Sequence, residues 1–407
     1  MGRFLKKEDK GKDLISPINN SYKMTISISK KVDELVPSGI RAFFDLVLNM
    51  KDVISLGVGE PDFVTPWHIR EKAIFSMEQG FTSYTSNQGM LELRKEITHF
   101  LKQRYGMSYD AQEEILITVG VSEGLDLAMR AILNPGDKVL VPEPAYVSYK
   151  PVVELAGGKA LTLKTSVENG FKLTAGQIER AYSKGVKALM INYPCNPTGA
   201  SYSKEELKDL VDVIKRHKLL VISDEVYDEL TYDFDHTPLA SLKGMKDSVI
   251  YLNGFSKAYA MTGFRIGWAC GPNEIIRAMT KIHQYTMLCA PINGQMAAIE
   301  ALKNGFKSVQ LMKNEYKRRR QFMVDALNAI GLDCHKPQGA FYVFPSIKKT
   351  KEGSMEFANN LLRKKKVALV PGVAFGPWCD DYVRISYASS YEHLKEAVLR
   401  IKSYLKA

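Results

Sequence analysis

From about residue 115 to 270 short apolar runs alternate with amphipathic stretches, and this alternation restricts the chain more than any other feature. The runs are Ile115–Val119, Val139–Val141, Ala188–Ile191, Leu219–Ile222 and Val249–Leu252. The connections between them are long enough for crossover helices, so the pattern predicts an α/β fold with a mostly parallel sheet and helices on both faces. The stretch from Ser203 shows one crossover plainly. Ser203 and Glu206 fit a capping box, Leu207, Leu210, Val211 and Ile214 fall on one helical face, and Lys215 and Arg216 suit the negative end of the helix dipole. Ligands of such sheets sit at the carboxyl ends of strands. Beyond about residue 296 the helical pattern lengthens and strands become rarer, which predicts a smaller α+β lobe.

A chain of 407 residues, 45% of them hydrophobic, has enough apolar surface for more than one lobe. Its net charge of +11 is spread along the sequence and interleaved with acids, as in Lys204-Glu205-Glu206, which suits anionic small ligands better than nucleic acid. The clusters Arg318–Arg320 and Arg363–Lys366 fall in helical stretches without interleaved aromatic residues and read as solvated faces. The five cysteines include no C-x-x-C pair, and the seven histidines show no metal-ligand spacing, so neither a disulfide framework nor a metal is expected. No apolar run reaches the length of a membrane span, and Met1–Lys23 is polar and lysine-rich without a signal-peptide core. The expectation is a cytoplasmic protein with residues 1–28 a disordered extension.

Five stretches carry chemistry. Gly254–Gly267 follows the Val249 run and holds Lys257 and, eight positions on, Arg265. That pair suits an aldehyde cofactor bearing a phosphate, with the amine forming a Schiff base and the guanidinium gripping the phosphate. Asn192-Tyr193-Pro194-Cys195-Asn196-Pro197-Thr198-Gly199 is a stiff loop able to aim an amide. Asp224 ends a buried-looking run, where a carboxylate needs a partner such as a protonated pyridine nitrogen. Thr118–Gly124 joins a strand to a helix whose first amides, with Ser122, suit a phosphate. In Pro142–Tyr149 the Tyr146 ring is able to stack on an aromatic cofactor. Each has a plainer reading on its own: a surface lysine, a turn, a helix N-cap for Asp224, a common strand-to-helix glycine, a core tyrosine.

Taken together and in this order, these stretches resemble the fold-type I pyridoxal-phosphate enzymes of the class I/II aminotransferase family. The resemblance runs from about Ser29 to Leu405 and includes Leu56–Phe63, Tyr84–Gly89, Gly339–Tyr342 and Tyr382–Tyr387. It looks closest to the branch of prokaryotic aspartate and aromatic aminotransferases. The family fold it implies is a large domain with a mostly parallel seven-stranded sheet between helices, plus a smaller α+β domain. On this chain the large pyridoxal-phosphate-binding domain would be 61–295, with 29–60 an N-terminal arm and part of the small domain, and 296–407 the rest of the small domain.

The resemblance also implies roles. Lys257 forms the internal aldimine and then moves the substrate Cα proton, Asp224 keeps the pyridine nitrogen protonated, and Tyr227 and Asn196 bond the 3′ oxygen. Tyr146 stacks on the ring, and Arg265, Ser256, Val121 and Ser122 hold the phosphate. Tyr84 reaches that phosphate from the second subunit of a homodimer. Arg384 clamps the substrate α-carboxylate, aided by Gly59 and Asn196. The implied reaction is ping-pong transfer of an amino group, by aldimine and ketimine steps, from aspartate or an aromatic amino acid to a 2-oxo acid, with 2-oxoglutarate as the expected acceptor. Some aspartate-specific relatives carry lysine where this chain has Ser122. A β-lyase on the same scaffold and a non-catalytic sensor are the alternatives.

Overall fold

The computed structural model describes residues 27–35 and 50–406, in two compact units divided after Leu35. The first shows a single short helix, Lys30–Asp33, with no buried residue. Of the expected extension 1–28, residues 1–26 lie outside the described residues, as do 36–49 of the expected arm.

In the second unit the strands are β1 (Ile54–Ser55), β2 (Ile115–Thr118), β3 (Lys138–Glu143), β4 (Lys159–Lys164), β5 (Val186–Asn192), β6 (Leu220–Asp224), β7 (Val249–Gly254), β8 (Gly267–Cys270), β9 (Tyr342–Val343), β10 (Val367–Ala368), β11 (Val370–Pro371) and β12 (Val383–Ser386). The α-helices that frame them are α1 (Trp67–Glu78), α2 (Leu91–Tyr105), α3 (Val121–Ile132), α4 (Tyr149–Leu155), α5 (Ala175–Ala181), α6 (Lys204–Arg216), α7 (Asn273–Thr286), α8 (Ile292–Asn304), α9 (Phe306–Ala329), α10 (Ser354–Lys365) and α11 (Tyr391–Leu405).

Seven strands form one sheet in the order β2-β8-β7-β6-β5-β3-β4. Only β8 is antiparallel to its neighbours, β2 and β7. All five strands read from the apolar runs are present. Their side chains alternate between two cores: Leu140, Leu189, Ile191 and Val221 face one, and Val139, Val141, Met190 and Ile222 face the other. Burial on both faces is why these strands appear as continuous apolar runs rather than alternating ones. The capping box of α6 forms as read, with Ser203 N donating to Glu206 Oε2 at 2.8 Å and Glu206 N donating to Ser203 Oγ at 3.3 Å.

A third core lies between α9, α10, α11 and the short strands β9–β12, and takes in Ile54 and Leu56. A boundary at 295/296 falls inside α8, where Ala297, Ala298 and Ala301 still pack on the sheet's first core. The change of core comes within α9, between Val309 and Met312. No helix among the described residues is long and apolar enough to cross a membrane.

The parallel register positions the site. Asn192 pairs with Asp224, and Asp224 with Leu252, so the carboxyl ends of β5, β6 and β7 lie side by side. The segments after β2, β3, β5, β6 and β7 therefore all emerge on one edge, bringing Ser122, Tyr146, Asn196, Tyr227 and Lys257 together.

Candidate active site

These segments line a cavity of about 600 Å³ between the sheet edge and the third core. Its wall includes Val121, Ser122, Tyr146, Asn196, Asp224, Tyr227, Ser256, Lys257, Arg265, Gly59 and Arg384. Of the residues singled out in the sequence, only Tyr84 is not on that wall; it is 81% exposed.

At one end of the cavity α3 begins after Gly120, which has φ of 76° and offers no side-chain cap. The amides of the first turn are left to other partners, at the positive end of the helix. A side chain at Gly120 would run into the Arg265 guanidinium. Arg265 itself donates to backbone carbonyls, Thr262 O at 3.1 Å and Val119 O at 3.5 Å, and pairs with no carboxylate among the described residues. Two positive groups, flanked by Ser122 and Ser256, thus meet, while the carboxylate of Glu123 in the same turn is engaged by Val119 N and His283: a donor set that suits a phosphate.

Asp224 is 4% exposed at the end of β6. Its Oδ2 accepts from the Tyr149 hydroxyl at 2.7 Å and its Oδ1 from Val226 N at 3.3 Å. Burial raises its pKa to about 6, and the Tyr149 bond opposes the rise. Being on the strand and not opening an α-helix, it is no helix N-cap. Neighbouring Asn192 accepts from Asn196 N at 2.9 Å and donates to Asp224 O at 2.8 Å, which ties the 192–199 loop to β6. The Tyr227 hydroxyl lies 2.8 Å from that of Tyr342, and burial holds it protonated, well above the usual tyrosine range.

Lys257 Nζ donates to Gly59 O at 2.5 Å. Burial lowers its pKa to about 8, helped by Arg384 and opposed by Glu60 and Asp224. Gly59 is small for a reason the sequence does not show: a Cβ there would stand 2.5 Å from the Tyr342 hydroxyl.

Arg384, on β12, is 3% exposed. It donates to Asn196 Oδ1 at 2.7 Å and to Gly57 O at 2.5 Å, and its guanidinium lies 4.5 Å from the Tyr342 ring centroid and 5.0 Å from that of Phe375. Its Nε is buried without a partner, and burial lowers its pKa. A buried cation with neutral acceptors alone is costly unless an anion joins it. Planar and bidentate, it is built for a carboxylate.

One wall therefore offers an amine with an unusual share of its neutral form, a buried acid, a donor set that suits a phosphate and a buried guanidinium that suits a carboxylate. The comparisons with known proteins agree with that chemistry. Residues 51–401 match the family model for aminotransferase class I and II. YugH, an aminotransferase-family protein of Bacillus subtilis, is 52% identical over 94% of this chain and 99% of its own length. The chain belongs to the class I and II aminotransferases. The aspartate aminotransferase of Pyrococcus abyssi is 44% identical over 94% of this chain and 99% of its own. The crystal structure of an aromatic aminotransferase from Pyrococcus horikoshii superposes with a TM-score of 0.86 at 44% identity, covering 90% of this chain and 98% of that one.

As a class I and II aminotransferase the protein is a pyridoxal-phosphate-dependent enzyme that acts on an amino acid and a 2-oxo acid, on the α/β scaffold of fold type I. The residues present fit that cofactor, since the uncapped helix end and Arg265 match its phosphate and the buried Asp224 matches its ring nitrogen. Sequence reasoning missed Tyr149, Asn192, Tyr342, Glu60 and Thr262 on the same wall. All five lie in stretches singled out above, Tyr149 in Pro142–Tyr149, Asn192 in Asn192–Gly199, Tyr342 in Gly339–Tyr342, Glu60 in Leu56–Phe63 and Thr262 in Gly254–Gly267, but the sequence attaches no role to them.

Proposed function

We propose that this aminotransferase moves the amino group of aspartate or an aromatic amino acid to 2-oxoglutarate in two half-reactions, with Lys257 as the cofactor-bearing lysine. The observation that supports the reading most is the convergence of Lys257, Asp224 and Arg384 on one cavity. In it Arg265, Ser256, Ser122 and the Val121 amide would hold the cofactor's phosphate, Tyr146 would stack on its ring, Asp224 would pair with its ring nitrogen, and Tyr227 and Asn196 would bond its 3′ oxygen. When bound, pyridoxal phosphate supplies an electron-accepting ring that acidifies the substrate Cα–H bond.

Everything else falls to the chain. Arg384 and Asn196 orient the substrate by its α-carboxylate, with Gly59 keeping the approach open, so that the Cα–H faces Lys257. With the cofactor bound, Lys257 Nζ would be the group placed to take the Cα proton of the oriented substrate and to return it. A pKa of about 8 leaves this amine partly neutral at physiological pH, which an ordinary lysine is not. Covalent attachment of pyridoxal phosphate to the apoenzyme needs the neutral amine. Its rate should rise with pH to a midpoint near 8, measured by stopped-flow absorbance; an ordinary lysine midpoint above 10 would contradict the assignment.

In this reading the enzyme is a cytoplasmic homodimer, and exposed Tyr84 completes the phosphate site of the partner subunit. Its large domain covers 61–295 and continues into α9, and its small domain takes the remainder. The wall favours an aromatic donor. Among the described residues Lys257, Arg265 and Arg384 are the cations lining the cavity, all three assigned, whereas Val147, Val58 and the Tyr342 ring offer apolar surface to a side chain. Titrating the holoenzyme with single amino acids, and following loss of its visible band, tests this directly. Phenylalanine and tyrosine should discharge the band at lower concentration than aspartate; the opposite order makes the donor aspartate.

A further inference from the structure

We infer that Tyr149 is a positioning residue of this site, which fixes the Asp224 carboxylate in its charged form for the cofactor ring nitrogen and braces the Tyr146 ring from the side. The inference rests on the reading of the cavity as the pyridoxal phosphate site. Tyr149 opens α4 and is 3% exposed. Its hydroxyl donates to Asp224 Oδ2 at 2.7 Å, and its ring meets that of Tyr146 edge to face, with centroids 5.6 Å apart and planes at 79°. One side chain thereby joins the group assigned to the ring's nitrogen and the group assigned to its face, although they follow different strands, β6 and β3.

The other groups around Asp224 do not replace it. Lys257 gives its ammonium to Gly59 O, and Tyr227 shares its hydroxyl with Tyr342. Glu225 has the same sign of charge and is bonded to Ser223 and His236. Cys195 is kept a neutral thiol by burial. Among the described residues Tyr149 is the one side-chain donor to the Asp224 carboxylate, beside the longer bond from Val226 N. Burial favours the protonated acid and the Tyr149 bond favours the carboxylate, so removing the bond shifts protonation of Asp224 to higher pH. A protonated Asp224 no longer balances a positive ring nitrogen.

The test uses apoenzyme and pyridoxamine 5′-phosphate, which binds without a covalent link, titrated calorimetrically between pH 5 and 8. Four proteins are compared: wild type, Tyr149→Phe, Asp224→Ala and the double variant. Tyr149→Phe should bind about tenfold more weakly at pH 7, and the acid limb of its affinity profile should move up by about one pH unit. In the Asp224→Ala background the same substitution should change affinity by less than about twofold, because a group acting through Asp224 has nothing left to act on. The double variant also leaves no carboxylate without its donor, so it reports even where Tyr149→Phe alone folds poorly. Equal losses in both backgrounds with an unmoved acid limb would make Tyr149 a packing residue and overturn the inference. Failure of the wild type to bind the probe would instead overturn the reading of the cavity itself.

Discussion

Lys257→Ala is expected to lower kcat for transamination by about 10⁴-fold or more, because in the proposed mechanism one amine serves both as the cofactor's covalent anchor and as the base at Cα. The loss should be in catalysis and not in folding. Lys257 makes one side-chain hydrogen bond, to Gly59 O, and its burial makes its charge unfavourable, so the variant should keep the thermal midpoint of the wild type or exceed it. The stability argument has a defined sign. The folded-state pKa of about 8 lies below the unfolded value, so the unfolded chain binds more protons between about 8 and 10.4, and Lys257's contribution to stability rises with pH across that window. Alanine should abolish that contribution. Steady-state kinetics with thermal melts at pH 7 and pH 9 measures both effects; retention of even a tenth of wild-type kcat would contradict the assigned role.

Arg384→Met carries the second largest effect. Truncating one partner of a buried charge pair costs about 2–5 kcal/mol in binding, so kcat/KM for every amino donor should fall by about 30- to 5,000-fold. Stability should hardly change. Arg384 is buried against two aromatic rings and two neutral oxygens, with Nε unpartnered. Losing those bonds leaves Gly57 O and Asn196 Oδ1 short of donors at about 1–3 kcal/mol each, and relief from burying an unpaired cation offsets a similar amount. The thermal midpoint should stay within about 4 °C of wild type. Arg384→Lys should rescue little of the activity, since a point charge does not reproduce the bidentate fork. A uniform loss across donors distinguishes a clamp on the shared α-carboxylate from a group that reads side chains.

Much of this site was legible because a parallel sheet puts its functional residues at strand ends, and an apolar run makes a strand end visible. Asp224, Lys257 and Asn196 each stand at or just beyond such an end. Where no run marks a strand, reading fails for physical reasons. Strand β4, Lys159–Lys164, is at the sheet's edge, half-exposed along its middle with lysine at both ends. Strand β8 has four residues, begins with glycine, and starts at the last residue of the stretch read as the cofactor loop. The change of core inside α9 is invisible because the helical period is the same on either side of it, and only the surface it packs against differs.

Tyr149 shows the same limit within the site. A tyrosine at the start of a helix reads as packing, and its partner Asp224 lies 75 residues away, brought beside it by the strand order β3-β5-β6. Gly59 carries a second constraint that the sequence does not show, since a side chain there would collide with the hydroxyl of Tyr342.

Reduction of the holoenzyme with borohydride, followed by peptide mass analysis, tests the central claim most directly, because it converts the cofactor's link to the protein into a permanent mark. The mark should appear on the peptide that contains Lys257, in a stoichiometry near one per chain, with simultaneous loss of the visible absorbance band. A mark on any other lysine, or protein that remains unmarked after reconstitution with pyridoxal phosphate, would contradict the account.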